Sequence, residues 1–147
     1  MHVEVNQSGK IEQTNLDTAL AFTNAEERSI LIRARVKRGA QRGLRARGVK
    51  PGMIALRMFS AGLFLLLRDH LEVITSVTTD SEYWGHEGEI QSLLLRLIWG
   101  ENPPFPQEAI SFRRTRRSPA HTLPWRTHRG ELKPDKEIGV EELLRFC

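Results

Sequence analysis

The sequence predicts one α/β domain in which a mixed five-stranded sheet is flanked by helices. Three observations predict it: three segments of strand composition come first, a long apolar run follows, and strand and helix patterns then alternate. The chain has 147 residues, enough for one hydrophobic core and too few for two independent ones. We expect residues 1–130 to form the domain and residues 131–147 to be an acidic tail that docks on it through a short helix.

The first part of the chain is expected to form three antiparallel strands. Val3 and Val5 begin the first strand, which enters a polar turn, and residues 18–22 form the second. Residues 29–32 form the third strand, and Val36 prolongs it because β-branched residues favour strands.

Two helices of different strength are expected next. Residues 40–47 have helical spacing, but Gly39, Gly43 and Gly48 each cost about 1 kcal/mol relative to alanine, so we expect a frayed basic helix or a loop. Residues 51–70 favour one long helix. Its apolar run is about half of the ~20 residues that a membrane crossing requires, which indicates a buried helix.

The second half of the chain alternates strands and helices. Residues 71–79 are rich in β-branched side chains and end at Asp80, so we expect a strand with a carboxylate at its C-terminal end. Residues 86–99 have the apolar spacing of an amphipathic helix. Residues 109–112 form a short strand candidate, and a serine followed by proline predicts a last helix at 118–128.

Charge is distributed unevenly along the chain. Seven carboxylates and one base, Arg96, lie between Asp69 and Glu101. Residues 28–68 contain eleven Lys and Arg with no acid, and residues 113–133 contain seven more bases with one acid. An acidic segment between cationic ones suits a protein that attracts a phosphodiester chain and holds a divalent cation against it. DNA or RNA is therefore the expected partner.

The sequence lacks the motifs of several other classes of protein. Cys147 is the only cysteine, which excludes a disulfide framework or a cysteine-ligated zinc site within one chain. The sequence has no Gly-x-Ser-x-Gly nucleophile elbow and no phosphate-binding Gly-x-x-x-x-Gly-Lys loop. The N-terminus has neither a basic region nor an apolar signal core, so a cytoplasmic location is expected.

Two arginine-rich segments are the expected phosphate contacts. The alternative interpretation is an ordinary solvated surface, but a stretch without acids as long as residues 28–68 is unusual for such a surface. Trp84 is expected to stack on an exposed base, a contact of about 1–3 kcal/mol, although a core or lid position would also suit it. The basic residues of this predicted interface are Arg33, Arg35, Lys37, Arg38, Arg42, Arg45, Arg47, Arg113, Arg114, Arg116 and Arg117.

The predicted order of elements is three strands, a helix, a strand ending in acid, a helix, a strand and a last helix. This order resembles the ribonuclease H-like fold, which is shared by ribonuclease H, RuvC-type Holliday junction resolvases and transposase cores. The resemblance covers roughly residues 2–130 and is topological, without sequence identity behind it.

The resemblance implies particular site residues. In that superfamily the first strand carries an Asp at its centre, and Asn6 occupies the equivalent place. The fourth strand ends in a second acid, matched by Asp80 or Glu82, and the following helix adds another, for which Glu87 and Glu89 are candidates.

These positions imply phosphodiester hydrolysis with Mg²⁺ or Mn²⁺, since two such ions can activate a water and stabilise the leaving oxygen. An amide at the first-strand position keeps an oxygen ligand but removes one negative charge, which predicts weaker metal binding. The implied metal ligands are Asn6, Asp80 and Glu82. The implied catalytic residues are Asp80, Glu82, Glu87 and His121, the last being a proton shuttle at the start of the last helix.

Three functions stay open on this evidence. The first is a nuclease that acts on structured or hybrid nucleic acid. The second is a nucleic-acid-binding protein of the same fold whose site is catalytically impaired. The third is an interaction module whose arginine-rich face meets an acidic protein. The carboxylates also have an ordinary interpretation, because acids are common in turns and favourable at helix N-termini.

Overall fold

The structure, a computed structural model, describes the chain in five stretches: residues 1–23, 27–80, 83, 85–113 and 133–147. Within them the protein has the predicted α/β class. The helix predicted at 118–128 lies outside the described residues.

A mixed sheet forms one layer. Its strands lie in the order β5-β4-β1-β2-β3-β6. The first three form the predicted antiparallel meander, β4 and β5 run parallel to β1, and β6 runs parallel to β3. The prediction of five strands was wrong, because the C-terminal segment adds a sixth. The strands are β1 (His2–Ser8), β2 (Thr18–Thr23), β3 (Glu27–Ile32), β4 (Ser76–Asp80), β5 (Ile110–Arg113) and β6 (Lys136–Ile138).

Four described helices accompany the sheet. They are α1 (Ala34–Ala46), α2 (Pro51–Leu67), α3 (Glu87–Trp99) and α4 (Val140–Phe146). A 3-10 turn, Arg68–His70, continues α2, so the prediction of a long helix ending near His70 is confirmed. The short C-terminal helix was also predicted, and it packs on α1 and α2.

α2 lies at the centre of the core. A methyl group placed on Gly62 would lie 3.0 Å from Leu20 of β2 and 3.4 Å from Ile32 of β3, so the helix approaches the sheet closely there. By length and composition alone the segment Pro51–His70 could cross a membrane, yet most of it is buried inside the fold. It is apolar on nearly all sides because the sheet, α1, α3 and α4 surround it.

α1 corrects two expectations. It is a complete helix rather than a frayed end or loop, and Val36 belongs to it instead of prolonging β3. The glycines that argued against it lie against α4: a methyl group on Gly43 would lie 2.8 Å from Cδ1 of Leu144. Tertiary packing thus outweighs the low helix propensity of these glycines.

The segment before β4 also differs from its prediction. The strand begins at Ser76 instead of residue 71, and the backbone N–H groups of Val73 and Ile74 bond to His70 O in a turn that ends the helical segment. Leu71 and Ile74 are buried even though they lie outside the strand. Burial, rather than strand pairing, accounts for their apolar character.

Candidate functional site

One side of α1 carries a line of arginines. Arg35, Arg38, Arg42 and Arg45 recur at intervals of three and four residues, so they lie along one face of the helix. The buried residues of α1 are Val36, Lys37, Ala40 and Leu44, which occupy the opposite face. We call the four exposed arginines the α1 arginine stripe.

Acidic groups of the protein itself neutralise little of the positive charge of the stripe. Arg38 donates through Nη1 to the carbonyl oxygen of Thr14 at 2.8 Å. Within the described part of the chain, Arg35, Arg42 and Arg45 form no ion pair, and α1 itself contains no acid. Three guanidinium groups therefore remain available to an anionic partner.

The two arginines at the ends of α1 are bound within the protein. Arg33 pairs with Asp17 at 3.3 Å and with Glu137 at 3.1 Å. The hydrogen bond and charge of Glu137, followed by those of Asp17, raise the pKa of Arg33. Arg47 donates through Nη1 to the carbonyl oxygen of Leu144 at 3.2 Å. Both arginines remain exposed, but part of their bonding capacity holds other segments in place.

Lys37 is buried, contrary to its predicted place in the phosphate-binding surface. Its ammonium group donates to the carbonyl oxygens of Lys10 and Gln13 at 3.1 and 2.7 Å and to Thr18 Oγ1 at 2.9 Å. Burial lowers the pKa of Lys37 to about 8, against the attraction of Asp17. Its position on the inner face of α1 explains the error, since helical spacing separates it from the arginines on the outer face.

Asn6 and Asp80 are neighbours on adjacent strands. The parallel register pairs Val5 with Thr79, so the next residue of each strand lies beside the other. Both side chains point to the same face of the sheet, and both residues are buried. The structure thus places these two predicted site residues side by side, Asn6 within β1 and Asp80 at the end of β4.

Arg113 lies between two carboxylates of this face. It donates to both oxygens of Glu4, at 2.7 Å from Nη1 and 3.2 Å from Nη2, and its Nε is 3.9 Å from Oδ1 of Asp80. Its side chain is only 20% exposed. The structure thus places Arg113 in an internal ion-pair cluster, whereas the sequence suggested a phosphate contact.

The side chains that the structure describes are poorly suited to hold the two metal ions that the resemblance implies. Among residues that the structure describes, no three His, Cys, Asp or Glu side chains are grouped closely enough to hold a metal ion. Asp80 instead has a guanidinium nearby, which supplies the positive charge that a cation would supply. Glu87 begins α3, and Glu89 bonds to Nδ1 of His86 at 2.9 Å.

Several predicted site residues lie outside the described part of the chain: Glu82, Trp84, Arg114, Arg116, Arg117 and His121. One residue of the cluster, Glu4, was missed by sequence reasoning. The available signal was its spacing, since Glu4 and Asn6 are two apart on a strand and must share a face.

No protein-family model, curated protein or solved structure matches this chain.

Proposed function

We propose that this protein binds DNA or RNA through the phosphate backbone, without hydrolysing it, and that the α1 arginine stripe is the main contact. The observation that supports this most directly is the geometry of the stripe: its four arginines lie on the exposed face of one helix that has no acid. Guanidinium groups suit this role because their planar donors bind phosphate oxygens in pairs.

The length of the stripe suits several phosphates. From Arg35 to Arg45 the helix rises about 15 Å, at roughly 1.5 Å per residue. Successive phosphates of one DNA strand are about 3.4 Å apart along the axis, so the stripe spans about four of them. Contacts of this kind position a nucleic acid without reading its bases, and structured or hybrid forms are the proposed ligands.

The cluster around Asp80 favours binding over cleavage. Asn6 removes one charge that the implied metal site would use, and Arg113 already neutralises Glu4 and approaches Asp80. The resemblance to the ribonuclease H-like fold is part of this proposal and rests on the order of strands and helices from β1 to β5. The best-supported version of that resemblance is therefore a binding protein with an impaired site.

Salt-dependent binding tests the proposal. The native protein, R42Q/R45Q and the control K10Q/K133Q would be titrated against labelled duplex, RNA–DNA hybrid and four-way junction at several salt concentrations. The control removes two exposed charges of residues that do not belong to α1. We expect only R42Q/R45Q to weaken binding, with the slope of log K against log salt reduced by about two, because each lost phosphate contact contributes about 0.9.

Two results would count against the proposal. One is absence of binding at low salt, and the other is equal weakening in both double variants, which would indicate a nonspecific effect of charge. Tight binding to a polyglutamate chain with none to nucleic acid would instead favour the acidic-protein partner.

Metal-dependent hydrolysis is the second candidate, and the adjacency of Asn6 and Asp80 favours it. In this version Glu82, Glu87 and His121 complete the site with Mg²⁺ or Mn²⁺. Cleavage of the same labelled substrates, with Mn²⁺ or with EDTA, distinguishes the two candidates. Metal-dependent cleavage that disappears in Asp80→Asn and increases in Asn6→Asp would establish the nuclease and replace our proposal.

A further inference from the structure

A cavity lies between α2, α3 and α4, and none of the residues that line it belongs to the stripe or to the Asp80 cluster. Its volume is about 220 Å³. That is several times the ~30 Å³ share of one liquid water and below the ~300–1,000 Å³ of pockets for drug-sized ligands, so it suits a small group. The residues that line it are Arg57, Ser60, Leu93, Arg96, Leu97, Arg145, Phe146 and Cys147.

The polar part of the lining is cationic. Arg57 of α2, Arg96 of α3 and Arg145 of α4 contribute three guanidinium groups from three helices. Within the described chain, none of the three forms an ion pair with an Asp or Glu side chain. Nη1 of Arg57 donates to the backbone oxygen of Cys147 at 3.3 Å.

Within the described part of the chain, two buried donors at the cavity have no hydrogen-bond partner. The hydroxyl of Ser60, a residue only 1% exposed, has none, and neither has the Nε–H of Arg57. An unpaired buried polar group is costly, and such groups are few in folded proteins. Both residues line the cavity with the three arginines, so an acceptor that binds there would satisfy these donors.

The thiol of Cys147 does not compete for the positive charge. Burial raises its pKa to about 12, although Arg47 and Arg57 act in the opposite direction. The thiol is therefore neutral at pH 7 and leaves the guanidinium groups for another anion.

We infer that this cavity binds a phosphomonoester group. Such a group carries a charge of about −1.5 to −2 at pH 7 and has three acceptor oxygens, which matches three guanidinium groups and a hydroxyl donor better than a single carboxylate does. Leu93, Leu97 and Phe146 provide an apolar wall for the organic part of the ligand. This inference is independent of the proposed role of α1.

A shallow groove extends the cavity along α3. It shares Leu93 and Arg96 with the cavity and continues past Ser92 and Gly88 to Met53 of α2. A phosphomonoester attached to a larger body can therefore bind with its phosphate inside and its body along α3. Both the terminal phosphate of a nucleic-acid strand and a small phosphorylated metabolite have this chemistry.

Calorimetric titration with phenyl phosphate tests the site. We expect one saturable site on the native protein, and affinity at least about tenfold lower in R96Q/R145Q, since each lost bond to a charged group is worth a factor of ten or more. The matched control K10Q/K133Q removes the same charge from exposed residues that do not line the cavity and should bind phenyl phosphate as the native protein does. Ser60→Ala should weaken binding without changing net charge.

A second pair of ligands identifies the source of the phosphate. An oligonucleotide with a 5′-phosphate is compared with the same oligonucleotide with a 5′-hydroxyl, both in the R42Q/R45Q background, where the stripe contributes little. If the 5′-phosphate increases the affinity for the oligonucleotide and R96Q/R145Q abolishes that increase, the cavity binds strand ends. If phenyl phosphate binds but the 5′-phosphate gives no increase, the cavity binds small phosphorylated molecules.

The inference fails in either of two cases. One is the absence of saturable phenyl phosphate binding at millimolar concentration, and the other is equal loss in K10Q/K133Q and R96Q/R145Q. A failure of the stripe proposal would leave phenyl phosphate binding unchanged, so the two outcomes are distinguishable.

Discussion

Nζ of Lys37 lies 2.9 Å from Oγ1 of Thr18 inside the fold, where it joins the start of α1 to the first residue of β2 and to the loop between β1 and β2. The same ammonium group holds two carbonyl oxygens of that loop. A buried charge of this kind is costly unless its donors are satisfied, and here three acceptors satisfy them.

Stability should depend on pH through Lys37. The pKa is about 8 in the folded protein and 10.5 for an ordinary lysine, so between these values the unfolded chain binds more protons. Stability therefore rises with pH in that window, by about 1 kcal/mol from pH 8 to pH 9. Above pH 9 the raised pKa of Cys147 acts in the opposite direction, so urea unfolding is best compared at pH 8 and 9.

Lys37→Met should remove this pH dependence and lower stability by about 2 kcal/mol, because it leaves carbonyl groups of the loop unpaired. Lys10→Met, which changes an exposed lysine of the same loop, should keep both the stability and the slope. A native slope that persists in Lys37→Met would show that another group causes it.

Asp17 acts as a remote cap for α1. The N-cap position of that helix is Arg33, which makes no side-chain cap bond, whereas Oδ1 of Asp17 accepts from the backbone N–H of Ala34 at 2.7 Å. Asp17→Ala should lower the free energy of unfolding by about 1–2 kcal/mol, the usual range for a lost cap. Asp17→Asn keeps an acceptor and should lose less in thermal unfolding; equal losses would contradict the capping role.

A methyl group at Gly43 should lower the stability of the protein while Leu144 is present. Alanine would gain about 1 kcal/mol of helix propensity, but its Cβ would lie 2.8 and 2.9 Å from the two methyl carbons of Leu144. We expect Gly43→Ala to destabilise the native protein by about 1 kcal/mol, since overpacking typically costs 1–3 kcal/mol. In a Leu144→Ala background the same change should be stabilising.

A double-mutant cycle in urea measures this coupling, which should be about 2 kcal/mol. Gly52→Ala is the control, because a Cβ there meets nothing within 4 Å and only the gain in propensity remains. A cycle with no coupling would mean that α4 adjusts freely to the new methyl group.

Removing Arg113 should increase the affinity for divalent cations. Arg113→Gln takes away the guanidinium that bonds to Glu4 and lies 3.9 Å from Asp80, so the two carboxylates gain net negative charge. Titration with Mn²⁺ should show affinity at least about tenfold higher in Arg113→Gln than in the native protein. Arg113→Lys keeps the positive charge and should resemble the native protein. An unchanged affinity in Arg113→Gln would show that these carboxylates do not attract the cation.

The sequence was most informative where apolar residues decide the structure. The long helix followed from its apolar run, and the three early strands from their β-branched residues. These features depend on local pattern. The choice of Asn6 and Asp80 as site residues came from the resemblance instead, and the parallel register of β1 and β4 places the two side by side.

Long-range contacts could not be predicted in the same way. Arg113 and Glu4 are 109 residues apart, and nothing in either neighbourhood indicates that they pair. Lys37 belongs to a run of basic residues, and only the direction of its side chain on α1 separates it from them. β6 contains just three residues, two of them charged, so its composition does not predict a strand.

The C-terminal segment has a consequence for self-association. β6 bonds along β3, and Asp135 exchanges further bonds with the backbone of Ser29, at 2.8 and 3.0 Å. Without this cover, β3 would expose a row of unpaired N–H and C=O groups beside Ile30 and Ile32, which is a template for aggregation. Asp135 is synthesised 106 residues after Ser29. A nascent chain therefore carries an open strand edge until the segment that contains Asp135 has been made, and chaperones or slow folding would matter most in that interval.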